Sequence, residues 1–354
     1  MKYVIFIFIG LFSCGLSAQE IPRSYIAYKT SEPIHIDGKP TEESWEKASW
    51  TQDFIDIEGE KTPRYKTNVK MLWDEEYLYF YAKLEEPHIW ATLKQRDTVI
   101  FYNNDFEIFI DPDGDTQNYM EFEMNALNTV WDLLLLKTYR EGGQAVDSWD
   151  ITGLKSAVNI KGSLNEPGDK DEFWSVEIAM PWAVLTETSP SGSIPVNDFW
   201  RINFSRVNWD FQLKDGKYSR KMDENGNYLP EYNWVWSPQG VINMHEPEHW
   251  GYVYFSEKEP GEKEVFTIPK DERIKWFLYE LYRKQKAYFE IHKKWAVPIN
   301  KLVKGEMKID GGKIHPKLEI HQTGWNISVH SPFTGKLLII KEDGDFVEQK
   351  FSSH

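Results

Sequence analysis

The sequence predicts an all-β protein, an antiparallel β-sandwich that carries a C-terminal amphipathic helix and a small β-hairpin extension. Three observations predict it. Short runs of alternating apolar and polar residues recur between turn signals from residue 25 to residue 255. Helical spacing in that span is confined to brief segments. After Ser256 the pattern changes to a charged stretch, one long helical period and further hairpins.

In chain order, residues 1–18 read as a signal peptide. Lys2 is followed by a short apolar run from Tyr3 to Phe12 and by Leu16-Ser17-Ala18, a small-residue cleavage site. That run is too short to span a bilayer, and no later stretch is long and apolar enough. Cys14 lies in a loose lipoprotein-like box, so lipid anchoring stands beside simple secretion, and a secreted, periplasmic or cell-surface location is expected. Cys14 is the only cysteine, so disulfides do not hold the mature fold.

Tyr25 to Tyr28 and Ile34-His35-Ile36 read as short strands, and Asp37-Gly38 as a turn. Glu42 to Ala48 reads as a short helix with acidic residues in its first turn. Val69 to Trp73 and Tyr77 to Leu84 form a hairpin across Asp74-Glu75-Glu76. Asn103 to Asn125 reads as a strand pair across Asp111-Pro112-Asp113-Gly114-Asp115. Asn128 to Lys137, Phe173 to Met180, Phe199 to Trp209, Asn233 to Ser237 and Gly251 to Phe255 complete the strands, with a helical turn at Pro181 to Leu185. The polar residues 211–232 read as an extended loop. The domain assignment is a sandwich over 19–256, a linker at 257–270, a helix at 271–296 and a β extension at 297–354. The aromatic surface of that helix, including Trp276, Tyr279 and Tyr282, needs a packing partner: the sandwich or a second protein.

Charge is uneven, with a net of −19 over residues 19–256 and +3 over 257–354. The acidic portion excludes a nucleic-acid partner, whose phosphates it would repel. Sixteen tryptophans and eighteen tyrosines supply core volume and also the planar faces on which sugar rings stack. Asp111, Asp113 and Asp115 are spaced as oxygen ligands for Ca²⁺, with Gly114 at the sharp turn. The alternative for them is a solvated acidic turn. No Ser/His/Asp set, phosphate-binding loop or metal-hydrolase motif is present, so no enzyme activity and no organic cofactor are expected. Carboxylate pairs of the glycosidase type arise by chance among 56 acidic residues. Haem would need ligands from opposite sides, which the adjacent Met244 and His245 do not supply.

Five segments together resemble the family 9 carbohydrate-binding modules and their DOMON-like relatives. They are Ile34 to Gly38 followed by Trp45; Leu72-Trp73-Asp74-Glu75 followed by Tyr77-Leu78-Tyr79; Asn104 to Asp111; Trp174 to Trp182 followed by Asn203-Phe204-Ser205-Arg206; and Trp236-Ser237-Pro238 with Pro247 and Trp250-Gly251. The resemblance covers about residues 34–255. It implies a jelly-roll-type sandwich that binds poly- or oligosaccharide without catalysing a reaction, as an accessory to polysaccharide capture or breakdown, with structural calcium. The runner-up is a structural or interaction domain that kept the fold and lost the sugar site, followed by a glycoside hydrolase-associated enzyme. In the family two tryptophans clamp the sugar. Here Phe101 falls at one clamp position and Met244 at the other. Glu107 and Asn125 match polar sugar contacts, and Glu123 stands where an arginine contact would be. Trp234 and Trp236 read first as core, with Trp236 retained as a candidate platform.

Overall fold

A computed structural model describes residues 21–350 of the chain. The signal-peptide segment and Cys14 lie outside the described residues.

The molecule is built on one hydrogen-bonded sheet of 13 strands that curls over itself. One half runs from Ala145–Val146 through Val130–Leu135, Tyr119–Asn125, Asp105–Asp111 and Phe199–Asn208 to Gly251–Ser256. The other runs from Ser24–Lys29 through Thr67–Trp73, Tyr77–Glu85 and Phe173–Pro181 to Lys155–Lys161. Alternation decides which side chains meet between the halves. Phe106, Ile108 and Ile110 from one half and Met71, Phe80, Val176 and Ile178 from the other share a single dry core. The predicted sandwich is therefore present. Its pairing is antiparallel except at Ser24–Lys29, which runs parallel to both Gly251–Ser256 and Thr67–Trp73 and joins the halves.

The sequence segments that carry the family resemblance meet at structural joints. Glu177, on strand Phe173–Pro181, accepts the backbone N–H of Asp37 at 2.9 Å and of Gly38 at 3.0 Å, and the indole N–H of Trp45 at 2.9 Å. One buried carboxylate thus ties the opening turn and the short helix Glu43–Lys47 to a strand some 140 residues away. Gly38 is required there: its φ is +85°, and a Cβ would lie 2.8 Å from the backbone nitrogen of Asn159. Arg206 is buried against Glu86 at 2.9 Å, and Glu86 also accepts from Asn208 at 2.7 Å.

Three expectations need correction. Ile34-His35-Ile36 is irregular rather than a strand. The expected loop at 211–232 contains a hairpin, Phe211–Lys214 with Lys217–Arg220, turned by Asp215 and Gly216, both at positive φ. The helix and the β extension, assigned as separate pieces, form one unit. Helix Lys270–His292 lays Ile274, Leu278 and Leu281 on a four-stranded sheet, where they share a core with Trp325, Ile327, Leu338 and Ile340. Its opposite side meets the sandwich. Tyr252 donates to Glu272 at 2.7 Å, Trp276 donates to Tyr252 at 3.0 Å, and Arg283 pairs with Glu246 and Glu248. Of the two packing partners expected for the helix's aromatic surface, the chain's own sheets are the one observed, with Trp276, Tyr279 and Tyr282 buried. Among the described residues no helix is long and apolar enough to cross a membrane.

Candidate functional site

On the side of strands Asp105–Asp111 and Tyr119–Asn125 that faces away from the main core, alternation presents Asp105, Glu107 and Phe109 beside Asn125, Glu123 and Glu121. Glu107 lies directly opposite Glu123, and Glu123 directly opposite Trp131 on the next strand. A row of polar and aromatic side chains therefore crosses the sheet. Residues from loops and short turns wall it, Phe101, Tyr139, Glu231 and the segment Ile242 to His245, together with Asn233 from the strand Tyr232–Val235. Together they line a cavity of about 300 Å³.

Each wall has an anchor. The backbone N–H of Phe101 donates to Glu123 at 3.0 Å, and the carbonyl of Phe101 accepts from the Trp209 indole at 2.7 Å. The Tyr139 ring meets His245 edge-on at 4.4 Å, and the Tyr119 hydroxyl is 2.9 Å from Nδ1 of His245. The Trp131 indole N–H, on the pocket wall, has no hydrogen-bond partner.

The electrostatics are one-sided. Burial, followed by the charge of neighbouring carboxylates, raises Glu121, Glu123 and Asp105 well above the usual carboxylate range. Burial pushes Glu107 up to about 7. Burial also pushes His245 down to about 4, so this wall is neutral. Among the described residues no lysine or arginine lines the cavity.

The sequence candidates divide. Phe101, Glu107 and Glu123 line one pocket, and Met244, at the second clamp position, lines it with them. Asn125 does not line it. Its amide donates to the Leu93 carbonyl at 2.9 Å, and its side-chain oxygen accepts from Leu127 at 3.0 Å and Thr129 at 3.1 Å. It is fully buried and organises a turn. Trp236 is 1% exposed, packed in the main core with its ring 5.8 Å from that of Phe204, and offers no platform. Glu121, Trp131, Tyr139, Glu231, Asn233 and His245 were not among the candidates. Trp131 and Glu121 were legible in principle from the strand pairing; the loop residues were not.

The Asp111–Asp115 turn forms a second acidic cluster, with one carboxylate oxygen from each of Asp111, Asp113 and Asp115 within 4.8 Å of the others. The residues fit a hard cation. Burial, then the neighbouring carboxylates, holds Asp111 high and pushes Asp115 up to about 7, which marks negative charge in excess of its compensation. Both Asp111 oxygens also hold the turn, accepting the N–H of Gly114 at 2.8 Å and of Thr116 at 3.0 Å.

Compared with known families, residues 36–194 match the model described as carbohydrate family 9 binding domain-like. The match contains the Asn104 to Asp111 strand and the Trp174 to Trp182 segment; the strands Phe199–Asn208 and Gly251–Ser256, which close the sandwich, follow it. No curated protein matches the chain. Among solved structures the chain is similar to a proposed carbohydrate-binding protein from Bacteroides uniformis, at 15% identity and a TM-score of 0.49 over 66% of this chain and 100% of that one. It is also similar to a family 9 carbohydrate-binding module from Caldicellulosiruptor kristjanssonii solved with cellotriose, at 14% identity and a TM-score of 0.42 over 70% and 100% of the two chains. The same module with glucose gives 14% identity and 0.42 over 68% and 100%.

Proposed function

We propose that the protein binds carbohydrate in the pocket lined by Phe101, Glu107, Glu123 and Trp131, and that it does so without catalysing a reaction. The observation that carries this is the combination of walls. Aromatic faces from Phe101, Trp131 and Tyr139 stand beside carboxylates and a free indole donor in one cavity. A sugar ring has apolar faces that stack and hydroxyls that must be hydrogen-bonded once they leave water. The carboxylates accept from hydroxyls, and Trp131 and Asn233 donate to ring or hydroxyl oxygens. The family 9-like match of residues 36–194 supports the same function.

The test is affinity electrophoresis and calorimetry of the full mature chain against plant and host polysaccharides and their oligomers. Binding of at least one glycan, weakened by Phe101→Ala, is expected. Absence of binding to every glycan at millimolar concentration overturns the proposal.

Two further parts of the proposal rest on other residues. Residues 1–18 direct export to a secreted, periplasmic or cell-surface location, where the protein serves polysaccharide capture. The mass of the mature protein tests this: cleavage after Ala18 and lipidation at Cys14 give different masses, and an uncleaved chain refutes export by this segment. Asp111, Asp113 and Asp115 hold a structural Ca²⁺, which would neutralise their shared charge.

A further inference from the structure

Among the described residues four acidic clusters bring three potential ligand groups within 4.8 Å of one another. They differ in what answers their charge. Glu246 and Glu248 are met by Arg140 and Arg283. Asp97, Asp132 and Asp150 are met by Arg96. Asp111, Asp113 and Asp115 lie beside Lys275. The fourth cluster, Asp105, Glu107 and Glu123, makes no ion pair with a lysine or arginine among the described residues; Arg206, which is paired with Glu86, lowers Asp105 from a distance, and Glu107 and Glu123, the two that line the cavity, gain no such help. Glu107 and Glu123 line the cavity together with Glu121 and Glu231, whereas Asp105 is buried next to them and does not line it.

A further observation concerns Asp105. It is fully buried, and one oxygen accepts the backbone N–H of Val207 at 3.1 Å. The other, Oδ2, is buried with no hydrogen-bond partner among the described residues. An orphan carboxylate oxygen beside two further buried carboxylates is costly unless a cation or donor reaches it. The cross-strand placement of Glu107 against Glu123 adds a repulsion that the sheet itself does not relieve. The floor of this pocket therefore lacks a positive charge. Its walls, Phe101, Trp131 and Tyr139, are shaped for a ring rather than for a bare ion.

We propose that the pocket selects an amino sugar with a free ammonium group, the charged nitrogen sitting against Glu107 and Glu123, to which the buried Asp105 lies close, while the ring lies against the aromatic wall. The inference rests on the carbohydrate reading above and names its substrate class. N-acetylation removes the charge and adds bulk at the nitrogen, so the acetylated sugar is disfavoured. Neutral glucans leave the carboxylates unanswered.

The experiment is calorimetry on the full mature chain, freed of metal by chelation and dialysis, at neutral pH, where Glu107 begins to ionise and part of the sugar amine still holds its proton. The ligands are deacetylated chitotriose, N-acetylated chitotriose and cellotriose. The deacetylated trimer is expected to bind about tenfold or more tightly than either neutral trimer, and added salt should narrow the gap. The double variant Glu107→Gln/Glu123→Gln, which keeps side-chain shape and removes repulsion, should fold with an unlowered melting point and lose most of the preference. Asp105→Asn serves as the second variant should the double one misfold. Equal affinity for the amino and neutral trimers overturns this inference and leaves carbohydrate binding standing. No binding of any trimer or of the wider glycan set overturns both. Binding of Ca²⁺ or Mn²⁺ alone that the double variant abolishes makes the pocket a metal site and also overturns it.

Discussion

Phe101 and Trp236 show how differently two aromatic residues from one family pattern are used. Phe101 is half-buried at the pocket wall and held in place through its backbone, so its ring is free to meet a ligand. Phe101→Ala should weaken glycan binding about tenfold and leave the melting point nearly unchanged. Trp236 fills the core. Trp236→Ala should cost about 3–5 kcal/mol in denaturant unfolding, and a loss below about 1 kcal/mol would contradict its placement. Period-2 alternation could have separated the two Glu residues from their core neighbours, and it did so for Glu107 and Glu123. It could not separate Asn125, which shares their face but lies at the strand end, where the chain turns and consumes the amide. It also could not supply Glu231 or His245, because loops from distant parts of the chain carry them to the pocket.

At the scale of elements, the hairpin Phe211–Arg220 carries its own local signal inside a polar stretch that otherwise reads as loop. Leu213-Lys214-Asp215-Gly216-Lys217-Tyr218 carries the Asp-Gly signal of a two-residue hairpin turn, and the polar flanks hid it. The Asp111–Asp115 turn was read as a turn and is more than that. The C-terminal unit clasps it: Thr116 donates to the Gly344 carbonyl at 3.1 Å, Tyr279 to the Asp115 carbonyl at 3.3 Å, and the Phe346 N–H to the same carbonyl at 3.4 Å. A cation there would steady both the hairpin and its clasp. Calcium at about 100 times its dissociation constant should then raise stability by about 2.7 kcal/mol, and Asp113→Asn should reduce that gain. A melting midpoint that is the same in calcium and in EDTA sinks the calcium proposal.

For the whole molecule, the carboxylates set a pH optimum. Glu107 is pushed up to about 7 and Glu121 and Glu123 are held high by burial, so the folded state retains protons that the unfolded chain releases near the ordinary glutamate value of 4.5. Stability from these groups is complete below that value and is lost as pH rises through about 7. Glu248 behaves oppositely. Against its own burial, Arg140 and then Arg283 hold it far below the ordinary range, so its contribution is present at neutral pH and is lost as pH falls below about 4. Ligand-free protein should therefore melt highest near pH 5, and Glu107→Gln/Glu123→Gln should flatten the fall toward pH 7. A melting point that climbs from pH 5 to pH 7 would refute this. The Glu248 pair also couples the two units. A chain ending at residue 264 loses Arg283, Glu272 and Trp276 from the sandwich wall, and about 3–5 kcal/mol of sandwich stability should go with them. An unchanged melting point in the shortened chain would show the units to be independent. The sequence by itself determined the strands, the long helix and the polar face of Asp105 to Asn125, because alternation and helical spacing are local properties of the chain. Only the tertiary structure decided that this face becomes the floor of a walled pocket without a cation, that Trp236 is core, and that helix and hairpins form one clasp. Those outcomes depend on which distant segments pack together, and local periodicity carries no record of that.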